Sequence, residues 1–417
     1  MSRKSTTMRG FALLIAVVMM MTAGCMWKEE TSTTAPAATV PPITTAPAAA
    51  EPQTEPPATT APVETEPPEQ ARAREILEGM TPEEKICQLF IVTHDQLAGV
   101  SGVTQSGPAT KAALEKYPVG GIIYFSPNLR SREQTVQMIE DLQSYSGLGL
   151  FVSVDEEGGI VTRLGHNSDM GVTDFSNMKT IGRDGDPAAA YDVGFTLGTE
   201  IAELGFNLDF APVADVDSNP DNPVIGVRAF HSDPQIAADL VAACVAGFGD
   251  SGTLCTLKHF PGHGDTASDS HYGAVSVEKT LQELEACELL PFRAGIEAGA
   301  PCIMVGHISL PEVTGDTLPA TLSFEIVSCL LRGELGFEGL IITDSMSMGA
   351  ITEHYDSAEA AVLALRAGVD VILMPQSLSG AVEGILEALE SGELSQTRID
   401  ESVLRILETK LRSGIIQ

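Results

Sequence analysis

The chain has 417 residues, of which 43% are hydrophobic, and this is enough for one large domain or two ordinary ones. Its 57 acidic residues outnumber the 24 basic ones, which gives a formal net charge of −33. So acidic a chain repels the phosphates of nucleic acid, and the charge therefore argues against nucleic acid as a partner.

The first 24 residues have the layout of a secretory signal peptide. Arg3, Lys4 and Arg9 precede "FALLIAVVMMMTAG", an apolar run that is short for a membrane span. The run ends at "TAGC", and small residues directly before Cys25 resemble the bacterial lipoprotein signal, in which the cysteine is lipidated. Thr22 stands where that pattern usually has leucine, so cleavage and secretion is the alternative. We expect an extracytoplasmic protein anchored to the membrane through Cys25.

Residues 25–70 are rich in Thr, Pro, Ala and Glu and have almost no large apolar side chains. Such a segment cannot bury a core, and we expect a disordered, solvated tether. A single folded domain should then cover residues 71–417. Beyond Cys25 the chain has six cysteines without a C-x-x-C pair or a metal-type spacing, so we expect buried free thiols rather than disulfides.

The domain opens with "TPEEK" (81–85), which predicts a helix start capped by Thr81 with Pro82 in its first turn. After it, short apolar runs alternate with longer amphipathic stretches. The eight predicted strands lie at 88–93, 120–125, 150–155, 206–212, 254–260, 301–307, 339–345 and 370–375.

Continuous apolar runs that are each followed by a helix are typical of parallel strands buried on both faces. Eight such units predict the α/β class and a (β/α)₈ barrel of the TIM type. A doubly wound open sheet is the alternative. No G-x-G-x-x-G follows the first strand, so dinucleotide binding lacks support and we expect no cofactor.

Polar residues follow the apolar runs at the point where the predicted strands end. Inside a barrel such side chains would be costly unless paired, whereas at the top of a barrel they meet at one mouth, where active sites lie. Six residues occupy these positions: Asp155, Asp209, Lys258, His259, His307 and Asp344.

The stretch "LKHFPGHGDTASDSH" (257–271) gathers three histidines in one loop. His259 and His263 are separated by Pro and Gly and do not share a helix face, and H-E-x-x-H is absent, so we expect no metal. Asp269 and His271 are two apart and can project to the same side of an extended segment. A carboxylate beside an imidazole suits a proton shuttle, and a surface ion pair is the alternative.

The segment "IITDSMSMG" places Asp344 at the end of the seventh strand. A carboxylate at a barrel mouth can attack the anomeric carbon of a sugar or stabilise its positive charge. Glycosidases normally use two carboxylates, but here the imidazole of His271 would transfer the proton, because its ordinary pKa near 6.5 suits both directions.

With these motifs, residues 72–413 resemble glycoside hydrolase family 3, specifically its β-N-acetylglucosaminidase branch, whose hallmark is similar to "KHFPGHGDTASDSH". The resemblance implies the barrel fold, with Asp344 as nucleophile, His271 as general acid/base and Asp269 as its partner. Many family members take the acid/base group from a second domain. This sequence ends soon after the eighth unit, so we expect the loop to supply it and to swing over the substrate.

The same resemblance implies the sugar-binding residues. "DEEGGIVTRL" is similar to the family's sugar-binding segment and carries over Asp155 and Arg163, and "GVRAF" carries over Arg228. Lys258 and His259 match the family's ligands for sugar hydroxyls.

The resemblance implies a retaining exo-β-N-acetylglucosaminidase that acts on cell-wall fragments such as muropeptides. Three alternatives stay open: a β-N-acetylglucosaminide phosphorylase, a related family 3 β-glycosidase, and a non-catalytic sugar-binding lipoprotein. The expected partners are an oligosaccharide substrate and the membrane, and we expect a monomer.

Overall fold

The computed structural model describes residues 67–270 and 272–417. The predicted signal peptide, Cys25 and nearly all of the tether lie outside the described residues, and so does His271. Among the helices of the described residues, none has the length and apolar character needed to cross a membrane.

Eight parallel strands form the barrel, and two short strands form a separate parallel pair. Neighbouring barrel strands follow the order β10-β1-β2-β3-β4-β5-β7-β9. The strands are β1 (Phe90–Thr93), β2 (Gly121–Ile123), β3 (Phe151–Val154), β4 (Leu208–Asp209), β5 (Leu254–Phe260), β6 (Val275–Ser276), β7 (Cys302–Val305), β8 (Ile308–Ser309), β9 (Leu340–Thr343) and β10 (Ile372–Leu373).

The sheet nearly closes on itself between β9 and β10, the strands at the two ends of this order. Ile342 bridges Val371 in parallel, and the Val371 N–H donates to the Ile341 carbonyl at 3.0 Å. All eight predicted strands are present, and the predicted (β/α)₈ barrel is confirmed. The apolar side chains of the strands are buried on both faces of the sheet, which requires helices around the outside of the barrel.

Fifteen α-helices lie among the described residues, most of them in the connections between barrel strands. They are α1 (Pro68–Glu78), α2 (Pro82–Gln88), α3 (His94–Ala98), α4 (Pro108–Lys116), α5 (Arg132–Tyr145), α6 (Met178–Ile181), α7 (Pro187–Ala202), α8 (Pro234–Ser251), α9 (Leu281–Ala286), α10 (Leu289–Glu297), α11 (Pro311–Thr314), α12 (Gly349–Thr352), α13 (Ser357–Ala367), α14 (Leu378–Ser391) and α15 (Gln396–Arg412). A π-helical segment spans Glu325–Glu334.

Local sequence signals place several helix starts. Thr81 caps α2 with a reciprocal capping box, as "TPEEK" predicts.

Helices α7 and α8 pack closely because glycine stands at the contact: a Cβ on Gly194 would lie 2.2 Å from the Cys244 carbonyl oxygen. Cys87, Cys244, Cys255 and Cys302 are buried thiols outside any disulfide, in agreement with the prediction, whereas Cys287 and Cys329 are only half-buried.

The base of the barrel, opposite the carboxyl ends of the strands, holds a buried lysine. The Lys410 ammonium lies 5.0 Å from the centre of the Phe151 ring and donates to Gln88 Oε1 at 2.9 Å. Burial lowers the pKa of Lys410 from 10.5 to about 7. Keeping the Lys410 ammonium charged in this buried position lowers the stability of the fold, so replacing Lys410 should change the free energy of unfolding.

Candidate active site

The carboxyl ends of the barrel strands open into a cavity of about 390 Å³. Asp155 follows β3, Lys258 and His259 end β5, and Asp344 follows β9, and all four line the cavity. Six predicted site residues meet there, because Arg163 and Arg228 complete the wall.

Two other polar residues at strand ends do not line this cavity. Asp209 is fully buried, and its Oδ1 accepts the Glu156 N–H at 2.9 Å. Burial raises the pKa of Asp209 well above its usual value. His307 is also buried, with Nε2 3.0 Å from the Ser345 carbonyl oxygen and Nδ1 2.8 Å from Thr321 Oγ1. It braces the segment that follows Asp344.

A buried charge cluster forms the floor of the cavity. Lys258 Nζ lies 2.7 Å from Asp155 Oδ1 and 2.7 Å from Glu157 Oε1. The Arg228 guanidinium donates twice to Glu157, from Nε at 2.8 Å and from Nη2 at 2.7 Å, and Arg163 Nη2 lies 3.5 Å from Asp155 Oδ2. Three cations and two carboxylates therefore share one floor and fix one another's positions.

The charges of this cluster shift the pKa values of its members. Burial alone would raise the pKa of Glu157, but the charges and hydrogen bonds of Arg228 and Lys258 hold it well below its usual range. Burial would lower the pKa of Lys258, and the carboxylates of Asp155 and Glu157 raise it above its ordinary value instead. Both groups stay ionised, so the floor presents fixed donors and acceptors to a ligand.

The segment "DEEGGIVTRL" folds into a tight turn that returns Arg163 to Asp155. Gly158 and Gly159 have φ values of 84° and 60°, which glycine adopts most readily. The Glu156 carboxylate accepts the backbone N–H groups of residues 163–165 at 2.7 to 3.0 Å and so pins the end of the turn. Glu156 therefore faces the turn, whereas Asp155 and Glu157 on either side of it both face Lys258.

Asp215 organises the stem of the long loop. It is almost completely buried, and its carboxylate accepts from His259 Nδ1 at 2.8 Å and from the His263 N–H at 2.6 Å. Burial would raise the pKa of Asp215, but the His259 charge and hydrogen bond lower it. With Nδ1 held by Asp215, His259 is left with Nε2 as the ring nitrogen that a ligand can use.

The loop beyond this stem is described only in part. Asp269 is half-buried, and its carbonyl accepts the Tyr272 N–H at 3.1 Å. Because His271 lies outside the described residues, the pairing of Asp269 with His271 stays a prediction. The Ser345 N–H donates to Asp344 Oδ1 at 2.7 Å, which helps to orient that carboxylate.

Sequence reasoning missed Glu157 and Asp215. For Asp215 a signal was available, since a carboxylate inside the apolar run "FAPVADV" must find partners when it is buried. Glu157 is the third of three consecutive acidic residues, 155–157, and nothing in the sequence indicated that it would face the cations together with Asp155. Within residues 67–270 and 272–417, no three His, Cys, Asp or Glu side chains come together in an arrangement that could hold a metal ion.

A parallel (β/α)₈ barrel with a cavity of paired acidic and basic side chains at its strand ends has the architecture of a barrel enzyme. Residues 81–409 match the protein family described as "Glycosyl hydrolase family 3 N terminal domain". The chain therefore belongs to glycosyl hydrolase family 3, and the family predicted from the motifs is confirmed.

Individual relatives agree with this assignment. The chain is 35% identical over 342 residues to "Beta-hexosaminidase A" of Pseudoalteromonas piscicida, covering 75% of this chain and 56% of that protein. It is 34% identical over 342 residues to "Beta-hexosaminidase LpqI" of Mycobacterium tuberculosis, covering 79% of this chain and 83% of that one.

A solved structure of similar fold is the family 3 β-N-acetylglucosaminidase of a Paenibacillus species. It matches with a TM-score of 0.76 and 39% identity, over 81% of this chain and 63% of that one. The chain thus spans less than two thirds of the length of this protein and of the Pseudoalteromonas relative.

Proposed function

We propose that the chain is a retaining exo-β-N-acetylglucosaminidase, which releases a terminal β-linked N-acetylglucosamine from an oligosaccharide. The observation that carries the proposal is that Asp344 lines the same cavity as the buried cluster of carboxylates and cations. Relatives named β-hexosaminidase and β-N-acetylglucosaminidase support N-acetylglucosamine as the sugar that is released.

In the first step, the Asp344 carboxylate attacks the anomeric carbon while His271 gives a proton to the departing oxygen. The bond to the leaving group breaks and a glycosyl ester forms on Asp344. Asp269 stabilises the imidazolium form of His271 before the transfer. General acid catalysis of this kind contributes about 10²–10⁴-fold.

In the second step, neutral His271 takes a proton from water, and the water oxygen attacks the anomeric carbon. The ester bond breaks, the Asp344 carboxylate is restored, and two inversions leave the configuration of the sugar unchanged. His271 is again protonated and ready for the next substrate.

The charge cluster binds the sugar. Asp155 and Glu157 accept hydrogen bonds from hydroxyl groups, and Arg163, Arg228, Lys258 and His259 donate to hydroxyl oxygens. Because these groups hold one another in place, the sugar is oriented without further ordering of the side chains. A cavity of about 390 Å³ suits a small ligand, which favours removal of a terminal residue over cleavage within a chain.

The test is an assay of purified protein on an aryl β-N-acetylglucosaminide, with the released sugar and its anomeric configuration identified. We expect β-N-acetylglucosamine with wild-type protein and no turnover with Asp344→Ala, while Asp221→Ala, an exposed control, should leave turnover unchanged. Release of the α-anomer would contradict retention, and N-acetylglucosamine 1-phosphate formed only with phosphate would identify a phosphorylase.

The proton transfer is tested with His271→Ala. Activity should fall more on aglycones that leave poorly than on activated aryl glycosides, because only the former need a proton in the first step. Equal losses on both substrates would argue against the acid role.

We further propose that the protein is exported, anchored through lipidated Cys25, monomeric, and active on cell-wall fragments. The apolar run ending in "TAGC" supports the anchor. Wild-type protein should incorporate labelled palmitate and sediment with membranes, and Cys25→Ser should do neither. Release of N-acetylglucosamine from chitin oligomers but not from muropeptides would contradict the wall substrate.

A further inference from the structure

His263 is a buried imidazole that the proposed mechanism does not use. Its ring connects two residues of the loop between β5 and β6: Nδ1 lies 2.7 Å from Thr266 Oγ1, and Nε2 lies 3.0 Å from Ser270 Oγ. Ser270 is itself buried and directly precedes His271 in the chain. The ring therefore ties the stem of the loop to the neighbour of the proposed acid/base residue.

The hydrogen bonds around the ring assign its tautomer. The Thr266 hydroxyl donates to the His263 carbonyl at 3.0 Å, so its oxygen can only accept from the ring, and Nδ1 must carry a hydrogen. In a neutral imidazole, Nε2 then has the lone pair, and the Ser270 hydroxyl donates to it. Asn222 supports this arrangement by donating to Thr266 Oγ1 at 3.2 Å.

The surrounding groups keep this ring neutral. Burial lowers the pKa of His263, and the His259 imidazole, whose ring centre is 5.8 Å away, lowers it further. The carboxylates of Asp215 and Asp344 act in the opposite direction, but the net shift of the pKa is downward.

Both ends of the bridge are attached to other parts of the cavity. The His263 N–H donates to Asp215, which also holds His259. The Ser270 carbonyl accepts the Ala350 N–H at 3.3 Å, and Ala350 lies in α12, shortly after Asp344. The bridge therefore links the loop to the sugar-binding side and to the nucleophile side of the cavity.

We propose that His263 is a positioning residue for proton transfer: its ring holds Ser270, and through Ser270 it positions the proposed acid/base pair Asp269 and His271 for that transfer. This inference rests on the proposed function. It gives the third histidine of the loop a role distinct from sugar binding and from proton transfer itself.

Three substitutions separate the two hydrogen bonds of the ring. Ser270→Ala removes the donor to Nε2 and keeps the ring. His263→Asn can still donate to Thr266 but cannot reach Ser270, whereas the longer side chain of His263→Gln can accept from Ser270. Ser276→Ala, on the exposed face of β6, is the matched control.

The readout is kcat/KM on two aryl β-N-acetylglucosaminides, one with a poor and one with a good leaving group. Ser270→Ala and His263→Asn should lose at least about tenfold on the poor leaving group and much less on the good one, since only the former needs the positioned acid. His263→Gln should recover most of the loss. Equal losses on both substrates, or no loss in folded variants, would overturn the proposal.

A measurement that needs no activity separates this inference from the proposed function. The ¹⁵N shifts of the His263 ring should report a neutral Nδ1–H tautomer at pH 7, and Ser270→Ala should speed amide exchange in residues 263–270. An Nε2–H or protonated ring would refute the inference even in an active enzyme. If wild-type protein hydrolyses neither substrate, the proposed function fails and the catalytic part of the inference fails with it.

Discussion

Replacing Glu157 by Gln removes one negative charge from the floor of the cavity without changing the shape of the side chain. Glu157 is almost fully buried and accepts two hydrogen bonds from Arg228 and one from Lys258. After the change, three cations would share the single carboxylate of Asp155. Two of them, Lys258 and Arg228, would lose a charged partner in a region with little solvent.

The magnitude follows from these contacts. Breaking a buried ion pair by removing one partner typically costs about 3–5 kcal/mol, because the other charge stays buried. Glu157 has two cationic partners, but Lys258 keeps its bond to Asp155 at 2.7 Å, so we expect the middle of that range, about 4 kcal/mol. The pKa of Glu157 is held below its usual range, so the stabilisation is fully present above the unfolded pKa near 4.5 and is lost as the pH falls through the folded pKa.

Denaturant unfolding at pH 7 measures the loss of stability, and steady-state kinetics measure its effect on the site. KM for an aryl β-N-acetylglucosaminide should rise at least about tenfold, because Arg228 and Lys258 are no longer held in place for the sugar. The control is Glu285→Gln, which removes the carboxylate of a half-exposed pair with Arg293 at 3.3 Å and should cost under about 1 kcal/mol. Equal effects of the two substitutions would refute the reasoning.

Two further predictions concern buried groups outside the sugar-binding floor. A fall in the pKa of Lys410 from 10.5 to about 7 corresponds to roughly 5 kcal/mol of burial cost, so Lys410→Met should raise the free energy of unfolding at pH 7 by about 2–3 kcal/mol after the hydrogen bond to Gln88 is lost. Because the folded pKa lies below the unfolded one, wild-type stability should rise from about pH 7 toward pH 10 relative to this variant; parallel curves would contradict it. Asp209→Asn keeps the acceptor for the Glu156 N–H and removes a carboxyl whose pKa burial raises, so it should stabilise the fold by about 1–2 kcal/mol at pH 7. That gain should vanish below about pH 4, where the carboxyl is protonated in both states, and a gain independent of pH would exclude this cause.

The barrel could be predicted because its signals are local and repeated. Each apolar run of the sequence is long enough for one strand, and each is followed by a helix, so the order of the strands follows from the chain. The convergence of Asp155, Lys258 and Asp344 follows as well, since parallel strands end at one mouth.

The partners within the site could not be predicted in the same way. Asp215 reaches His259 across 44 positions of sequence, and Glu157 reaches Arg228 across 71, and no local pattern encodes such contacts. Asp209 and His307 occupy strand ends like the cavity residues, yet they face protein atoms. The position of a residue along a strand therefore predicts how far along the barrel axis its side chain lies, but it does not predict which group that side chain contacts.

The most direct test of the proposed mechanism is to trap the sugar on the enzyme. An activated 5-fluoro glycosyl fluoride of N-acetylglucosamine should form the ester quickly and lose it slowly, and peptide mass spectrometry should then find the sugar on Asp344. Asp344→Ala should carry no label. A label on another carboxylate, or none during turnover of wild-type protein, would contradict the assignment of Asp344 as the nucleophile.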